Sequence, residues 1–244
     1  MEASEYRAMY AVEDIHFWYR AMHGHVEALL GKLAPEASEI LDAGCGTGGL
    51  ATRLTAAGKI VTALDLREEA LACCRERGLK NLVQGSVNAL PFPESSFDAV
   101  LSLDVWYHCD VDDQQAACEA ARVVRPGGIV LVNLPAYDSL RGHHDAVVHT
   151  ARRYDRARLR TLFTGANLTP LYLTHWNTAL FPLLAAMRLA SKRVSRGTQS
   201  DVAPVPGWLN AALLRVLEAE RTVFLKRPLP YGLSLLGVAR KDSP

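Results

Sequence analysis

Two sets of residues in this 244-residue sequence have the types and spacing for chemistry. The first is Asp42-Ala43-Gly44-Cys45-Gly46-Thr47-Gly48-Gly49, followed by Asp65, about 20 positions beyond the first loop glycine. Glycines let a turn take positive φ and let a ligand approach the backbone with no Cβ in the way. The free N–H groups of a helix starting there face that ligand. An acidic residue at that distance, at the tip of a neighbouring strand, is placed to accept hydrogen bonds from a ribose diol. Together these features mark a nucleoside-binding α/β domain. The second set moves protons: His108, His143, His144 and His149, with Asp145 beside His144. Histidine titrates near working pH, and an adjacent carboxylate can hold it as a base. The loop histidines and Asp145 are also metal-ligand types, but two histidines and one aspartate on a loop are a weak pattern, and no metal is expected.

The elements that must position these residues follow from apolar runs and breakers. Glu39 to Ala43 reads as a buried strand, Leu50 to Ala57 as the helix after the glycine turn, and Lys59 to Leu64 as the second strand. A helix is expected from Asp65 to Gly78, then strands at Leu82–Gln84 and Ser96–Ser102. Leu103 to Cys109 leaves the carboxyl end of that fourth strand, where ligands bind in open α/β sheets. A helix over Asp110–Val124, a turn at Arg125-Pro126-Gly127-Gly128 and a fifth strand at Ile129–Asn133 come next. Pro135 to Tyr154 is a polar loop of a length that is usually functional. The helix Arg156–Ala166 and the strand Leu168–His175 follow it. Ala179–Arg193 and Trp208–Lys226 are helix candidates flanking a flexible linker, and Leu233–Ala239 is a closing strand.

Hydrophobic content of 49% and charged content of 22% are those of a globular chain with ample length for a core. A net charge of +1 gives no steering toward nucleic acid. Cys45, Cys73, Cys74, Cys109 and Cys118 form no C-x-x-C pair, which fits a reduced compartment. Glu2, Glu5, Glu13 and Asp14 interrupt the first residues, so no signal peptide is expected there. The longest apolar stretch, Thr178 to Met187, is too short for a bilayer. A cytoplasmic protein is the expectation.

Gly44-Cys45-Gly46-Thr47-Gly48-Gly49 satisfies G-x-G-x-x-G, so a nicotinamide dinucleotide enzyme has to be weighed. Led by Asp42, the same letters give D-x-G-x-G-x-G, and here the chain resembles the class I S-adenosylmethionine-dependent methyltransferases, in a type 11-like subgroup. Leu90-Pro91-Phe92, Ser96-Phe97-Asp98-Ala99-Val100 and Pro126-Gly127-Gly128 recur in the family's order, and no Tyr-x-x-x-Lys pair of the short-chain dehydrogenase kind is present. The resemblance covers about residues 13–177 and the final strand. It implies an α/β fold, a Rossmann-like seven-stranded sheet with strand seven antiparallel beside strands five and six, and a helical insertion between strands six and seven. The implied organisation is an N-terminal helical lid at 1–34, a cofactor-binding core at 35–177, the insertion at 178–228 and the final strand at 229–244.

The same resemblance implies S-adenosylmethionine as cofactor and S-adenosylhomocysteine as product. Asp42, Gly44, Cys45 and Gly46 would lie under the methionine end, with Asp65 and Leu66 at the ribose. Ser86 and Val87 would meet the adenine, Leu103 would line the site from strand four, and Tyr19 would close over it. Ser86 stands where the family usually carries an acid, which leaves adenine recognition less marked than ribose recognition. The aromatic run His16-Phe17-Trp18-Tyr19 reads either as the lid over the cofactor or as a Trp18 packed on the sheet with its neighbours exposed. Methyl transfer is a displacement at a sulfonium carbon, and orientation alone supplies on the order of 7–11 kcal/mol. A general base adds roughly 100- to 10,000-fold where the nucleophile must lose a proton. His108 and His144 are the leading base candidates, with Asp145 and His149 completing the loop group, which resembles the subgroup's H-D-x-x-x-x-H-x-R-R-Y. Leu180, Phe181, Leu183, Leu184, Met187 and Leu189 read either as a core or dimer helix or as a hydrophobic cover over a small, lipid-like acceptor. Arg188, Lys192, Arg193 and Arg196 can touch a membrane surface or form a solvated face. The expected partner is a small-molecule acceptor rather than nucleic acid, bound by a monomer or homodimer. A methyltransferase-fold binder without catalysis and an NAD(P)-dependent oxidoreductase are the alternatives.

Overall fold

The structure, a computed structural model, describes residues 3–141, 150–182 and 205–242. Two helices open the chain, α1 (Ala3–Val12) and α2 (Phe17–Leu33). Then come β1 (Glu39–Ala43), α3 (Gly49–Ala56), β2 (Ile60–Asp65), α4 (Glu68–Glu76), β3 (Leu82–Gln84) and β4 (Phe97–Leu103). The chain continues through α5 (Asp113–Val123), β5 (Val124–Pro135), a 3-10 turn at Asp138–Leu140 and α6 (Arg156–Gly165). It ends with β6 (Leu168–Trp176), α7 (Gly207–Phe224) and β7 (Ser234–Lys241). The strands form one sheet in the order β3-β2-β1-β4-β5-β7-β6, and β7 runs antiparallel to both β5 and β6.

Both faces of the sheet are covered, so its central strands are apolar without alternation. Leu41, Val100, Val130 and Val132 point to one side, where Ala116, Ala117 and Ala120 of α5 and Leu159 and Phe163 of α6 pack. Their neighbours Ile40, Ala99, Leu101 and Leu131 point to the other, against Val26 and Leu29 of α2, Leu50 and Leu54 of α3, and Leu214 and Leu217 of α7. The small alanine face of α5 allows the helix to sit close. Asp112 and Asp155 cap α5 and α6, accepting from the Gln115 and Arg158 N–H groups at 3.0 and 2.8 Å. Each such cap contributes about 1 kcal/mol.

Several boundaries differ from those read in the sequence, each for a local reason. Asp65 is the last residue of β2 and not the start of a helix, because its carboxylate accepts from the Arg67 N–H and the helix begins at Glu68. α5 begins at Asp113, after its Asp112 cap, and not at Asp110. β5 is longer than the expected Ile129–Asn133, since Val124 already pairs with Phe97 and the Pro-Gly-Gly turn lies inside the strand. The register shifts there between Phe97 and Ala99, and Gly127 takes φ +80, so the turn behaves as a bulge. A second shift lies on the outermost strand, between Pro170 and Tyr172 of β6. α7 lies along α2 and on β6, as part of that face's helical layer. From residue 183 the helix expected at Ala179–Arg193 lies outside the described residues, as does the linker through residue 204.

Gly237, in the middle of β7, is packed too tightly for a side chain. A Cβ there would stand 2.5 Å from Leu159 Cδ2 and 3.0 Å from the Phe163 ring. Gly237→Ala is expected to lower stability by about 1–3 kcal/mol through overpacking, seen as a lower urea midpoint at unchanged slope.

Candidate functional site

The glycine loop is built by its own backbone. Gly44 and Cys45 both donate to the Leu64 carbonyl at 2.7 and 2.9 Å, which folds the end of β1 over the end of β2. Gly44 and Gly46 take φ +90 and +54, and a Cβ on Gly44 would lie 2.2 Å from Val105 Cγ2. Only glycine serves there. Asp65 is clamped in place, Oδ2 accepting from the Gly46 N–H and Oδ1 from the Arg67 N–H, each at 3.0 Å. Burial pushes its carboxyl up from the usual range, and the N–H bonds from Arg67 and Gly46 oppose that. Asp42 is buried behind the loop and pushed up to about 7, chiefly by burial and then by the charges of Glu13 and Asp65.

The N-terminus of α3 is occupied by a residue the sequence reading passed over. Glu13, from the turn between α1 and α2, accepts from the Gly49 N–H at 3.1 Å and from the Thr47 hydroxyl. Arg77 pairs with it at 3.0 Å and reaches Asp14 at 2.7 Å, while His23 lies 3.7 Å away. Glu13 is buried, and burial raises its pKa against the pull of Thr47 and Arg77. A dinucleotide sets its pyrophosphate at this helix end. Here that place holds a carboxylate.

Above the loop lies a cavity of about 800 Å³. Tyr19, Asp42, Gly44, Cys45, Gly46, Asp65, Leu66, Ser86, Val87, Leu103 and His108 all line it. Ser86 spends its hydroxyl locally, accepting from the Asn88 N–H at 3.2 Å. The aromatic run does two jobs at once. Trp18 packs against Trp176 with centroids 4.5 Å apart, while His16, Phe17, Trp18 and Tyr19 all reach the cavity wall. His108 sits in the turn after β4, its N–H donating to the Val105 carbonyl at 3.1 Å and its ring 4.5 Å from that of Tyr107. It bridges to Thr150, which also lines the cavity. His143, His144, Asp145 and His149 lie outside the described residues. Arg152 pairs with Asp113 at 3.2 Å, and Arg153 donates to the Ala136 carbonyl at 3.0 Å.

Asp104 is the second residue that spacing did not reveal. It follows β4 at φ +57, a left-handed conformation that few residues other than glycine, asparagine and aspartate take easily. Its N–H donates to the Asn133 carbonyl at 2.9 Å, and Oδ1 accepts from the Asn133 side-chain amide at 3.0 Å. Asn133 Oδ1 in turn accepts from Trp176 Nε1 at 2.8 Å. Asp104 is pushed up to about 7 by its deep position, against the Asn133 bond, and the surface it retains faces the cavity.

Residues 41–132 match a protein-family model described as a methyltransferase domain. Over 116 residues the chain is 38% identical to malonyl-[acyl-carrier protein] O-methyltransferase of Enterobacter lignolyticus, covering 47% of this chain and 46% of that one. Fatty-acid O-methyltransferase of Mycolicibacterium smegmatis is 40% identical over 114 residues, 42% of this chain and 40% of that one. The chain spans about half the length of the curated relatives it matches. Among solved structures it resembles the methyltransferase bound to the Trm112 activator of Haloferax volcanii, with TM-score 0.63 and 21% identity over 99% of this chain and 95% of that one. A methyltransferase of Thermotoga maritima gives TM-score 0.59 and 17% identity over 98% and 95%.

A buried acid held protonated makes a definite mark on stability. Unfolded aspartate titrates near 3.9, so between about pH 4 and 7 the folded state keeps a proton on Asp42 that the unfolded state has released, and stability falls as pH rises. His23 and His25, pushed down to about 3 by burial, act with the opposite sign. The two are separated by comparing variants. Asp42→Asn is expected to melt higher than the parent at pH 8, with the gain fading toward pH 4, in ligand-free thermal denaturation.

Proposed function

With its core belonging to the class I S-adenosylmethionine-dependent methyltransferases, we propose that this protein moves a methyl group from S-adenosylmethionine to a small organic acceptor with an apolar body. The observation that carries the choice of cofactor is the pairing of a clamped Asp65 with a Glu13-filled helix terminus. The first suits a ribose diol, and the second opposes the pyrophosphate of a nicotinamide dinucleotide by charge and by space. A nucleoside joined to an amino acid has no phosphate to place there.

The residues fit such a cofactor. Asp65, with both oxygens already oriented by backbone N–H groups, has remaining lone pairs for the ribose hydroxyls. The Val87 backbone and Ser86 stand toward the adenine, Leu66 beside the ribose, and Asp42 with the bare loop Gly44-Cys45-Gly46 toward the methionine end. Leu103 and Tyr19 close the two sides. When bound, the sulfonium supplies an activated methyl carbon and a good leaving group, so the protein's part is alignment and exclusion of water. His108 is our first choice for a group that removes a proton from the acceptor, since its ring borders the cavity beyond β4. We extend that proposal to His144, Asp145 and His149, because Thr150, the next residue in the chain, lines the same cavity. The described portion of the insertion brings Val205 to the cavity wall, and we assign the insertion as a whole to the acceptor side.

S-adenosylmethionine and S-adenosylhomocysteine are expected to raise the melting temperature, by about 2.7 kcal/mol of stabilisation at 100 times their dissociation constants, while NAD leaves it unchanged. Asp65→Ala is expected to remove that rise. Stabilisation by NAD alone would refute this function. Turnover of labelled methyl donor with an acceptor panel then separates an enzyme from a binder.

A further inference from the structure

The cavity as a whole has an unbalanced charge. Glu5, Glu13, Asp42, Asp65, Asp104 and Asp110 face it, against Arg67 and Arg153. Most of these are spoken for. Asp65 is bound by two N–H groups, Glu13 by Arg77 and the α3 terminus, and Arg67 follows Asp65 at the nucleoside end. Asp104 is different. Asn133 holds its Oδ1, and Trp176 holds Asn133, so the carboxylate is fixed by a buried chain running back into the sheet. Oδ2 has no hydrogen-bond partner among the described residues. Aromatic rings share the cavity with it. Phe17, Trp18, Tyr19 and Tyr107 line the same space. The Tyr19 phenol is pushed up by burial and by the charges of Glu13 and Asp104, which places it within the field of both acids.

Resting on the methyltransferase function above, we propose that Asp104 is the specificity-determining residue of the acceptor site and that it selects an amine, received as its ammonium. A carboxylate beside aromatic faces is the arrangement that recognises an ammonium group, through a charge-assisted hydrogen bond and cation–π attraction. The same arrangement repels a carboxylate acceptor. The left-handed backbone at Asp104 supports a placed group, because a residue is held in such a conformation only where its surroundings over-determine it. The deep setting that pushes Asp104 up toward neutrality is relieved when an opposite charge arrives.

The test uses probes of one size and three charges: hexylamine, hexanol and hexanoate, titrated by calorimetry into the wild-type protein saturated with S-adenosylhomocysteine. Hexylamine is expected to bind at least about 10-fold tighter than either of the others. Asp104→Asn, which keeps the Asn133 contact and tolerates the left-handed backbone, is expected to erase that preference while S-adenosylhomocysteine affinity stays within about 3-fold. Hexanoate or hexanol binding as tightly as hexylamine overturns the proposal, as does no binding of any probe or a preference that survives in Asp104→Asn. A large loss of S-adenosylhomocysteine affinity in Asp104→Asn overturns it too, by assigning the carboxylate to the cofactor's own amino group. Failure of S-adenosylhomocysteine to bind the wild type, seen before any probe is added, instead refutes the methyltransferase function on which the inference rests.

Discussion

The site depends on one buried ion, the carboxylate of Glu13. Taking a carboxylate out of water costs several kcal/mol unless donors replace the solvent. Thr47, the Gly49 N–H and Arg77 do so, with the partial positive charge of the α3 terminus behind them. In return, Glu13 fastens the turn between the first two helices directly onto the loop that follows β1. The aromatic wall formed by residues 16–19 is thereby held at the cavity, with Trp18 anchored on Trp176. A Cβ on Gly49 would meet the Glu13 carboxyl at 2.4 Å, so the fit leaves that helix start no side chain.

What the sequence disclosed and what it withheld divide along chain separation. The loop and Asp65 were legible because their meaning is local: glycines at positive φ, a strand on each side, and an acid at the tip of the next strand. The antiparallel seventh strand beside strands five and six followed once the order of motifs matched a known family. Glu13 gave no such signal. Its partners Thr47 and Gly49 are 34 and 36 positions away, and in the sequence it looked like one more acidic residue near the start. Asp104 was hidden for the same reason, its chain of contacts reaching 29 positions to Asn133 and a further 43 to Trp176. Ser86 was legible as a departure from the family, but not that its hydroxyl would turn inward to Asn88. The errors at the ends of β5, α4 and α5 were of a smaller kind, where a cap or bulge moved a boundary by a few residues.

Burial governs the electrostatics of the whole cavity. Asp42 and Asp104 lie deep in the protein and, in the ligand-free state, titrate far above exposed aspartates. Asp98, by contrast, is tied to Arg125 and to the Ser38 and Glu39 N–H groups at the opposite end of the strands and is held down at about 2. The same side chain thus serves two ends of one sheet. At the amino end it is a satisfied staple between β1, β4 and β5. At the carboxyl end it is a strained acid whose surroundings favour a cationic visitor.

The irregularity at Pro170 bears on how the outer strand meets its surroundings. β6 is an outer strand of nine residues, long enough to template a neighbour, and bare outer strands invite fibre-like stacking. Pro170 offers no N–H, and the shift between Pro170 and Tyr172 throws Leu171 out of step with any incoming strand. The opposite margin, β3, is only three residues long. Among the described residues, both margins of the sheet thus carry features that disfavour edge-to-edge pairing.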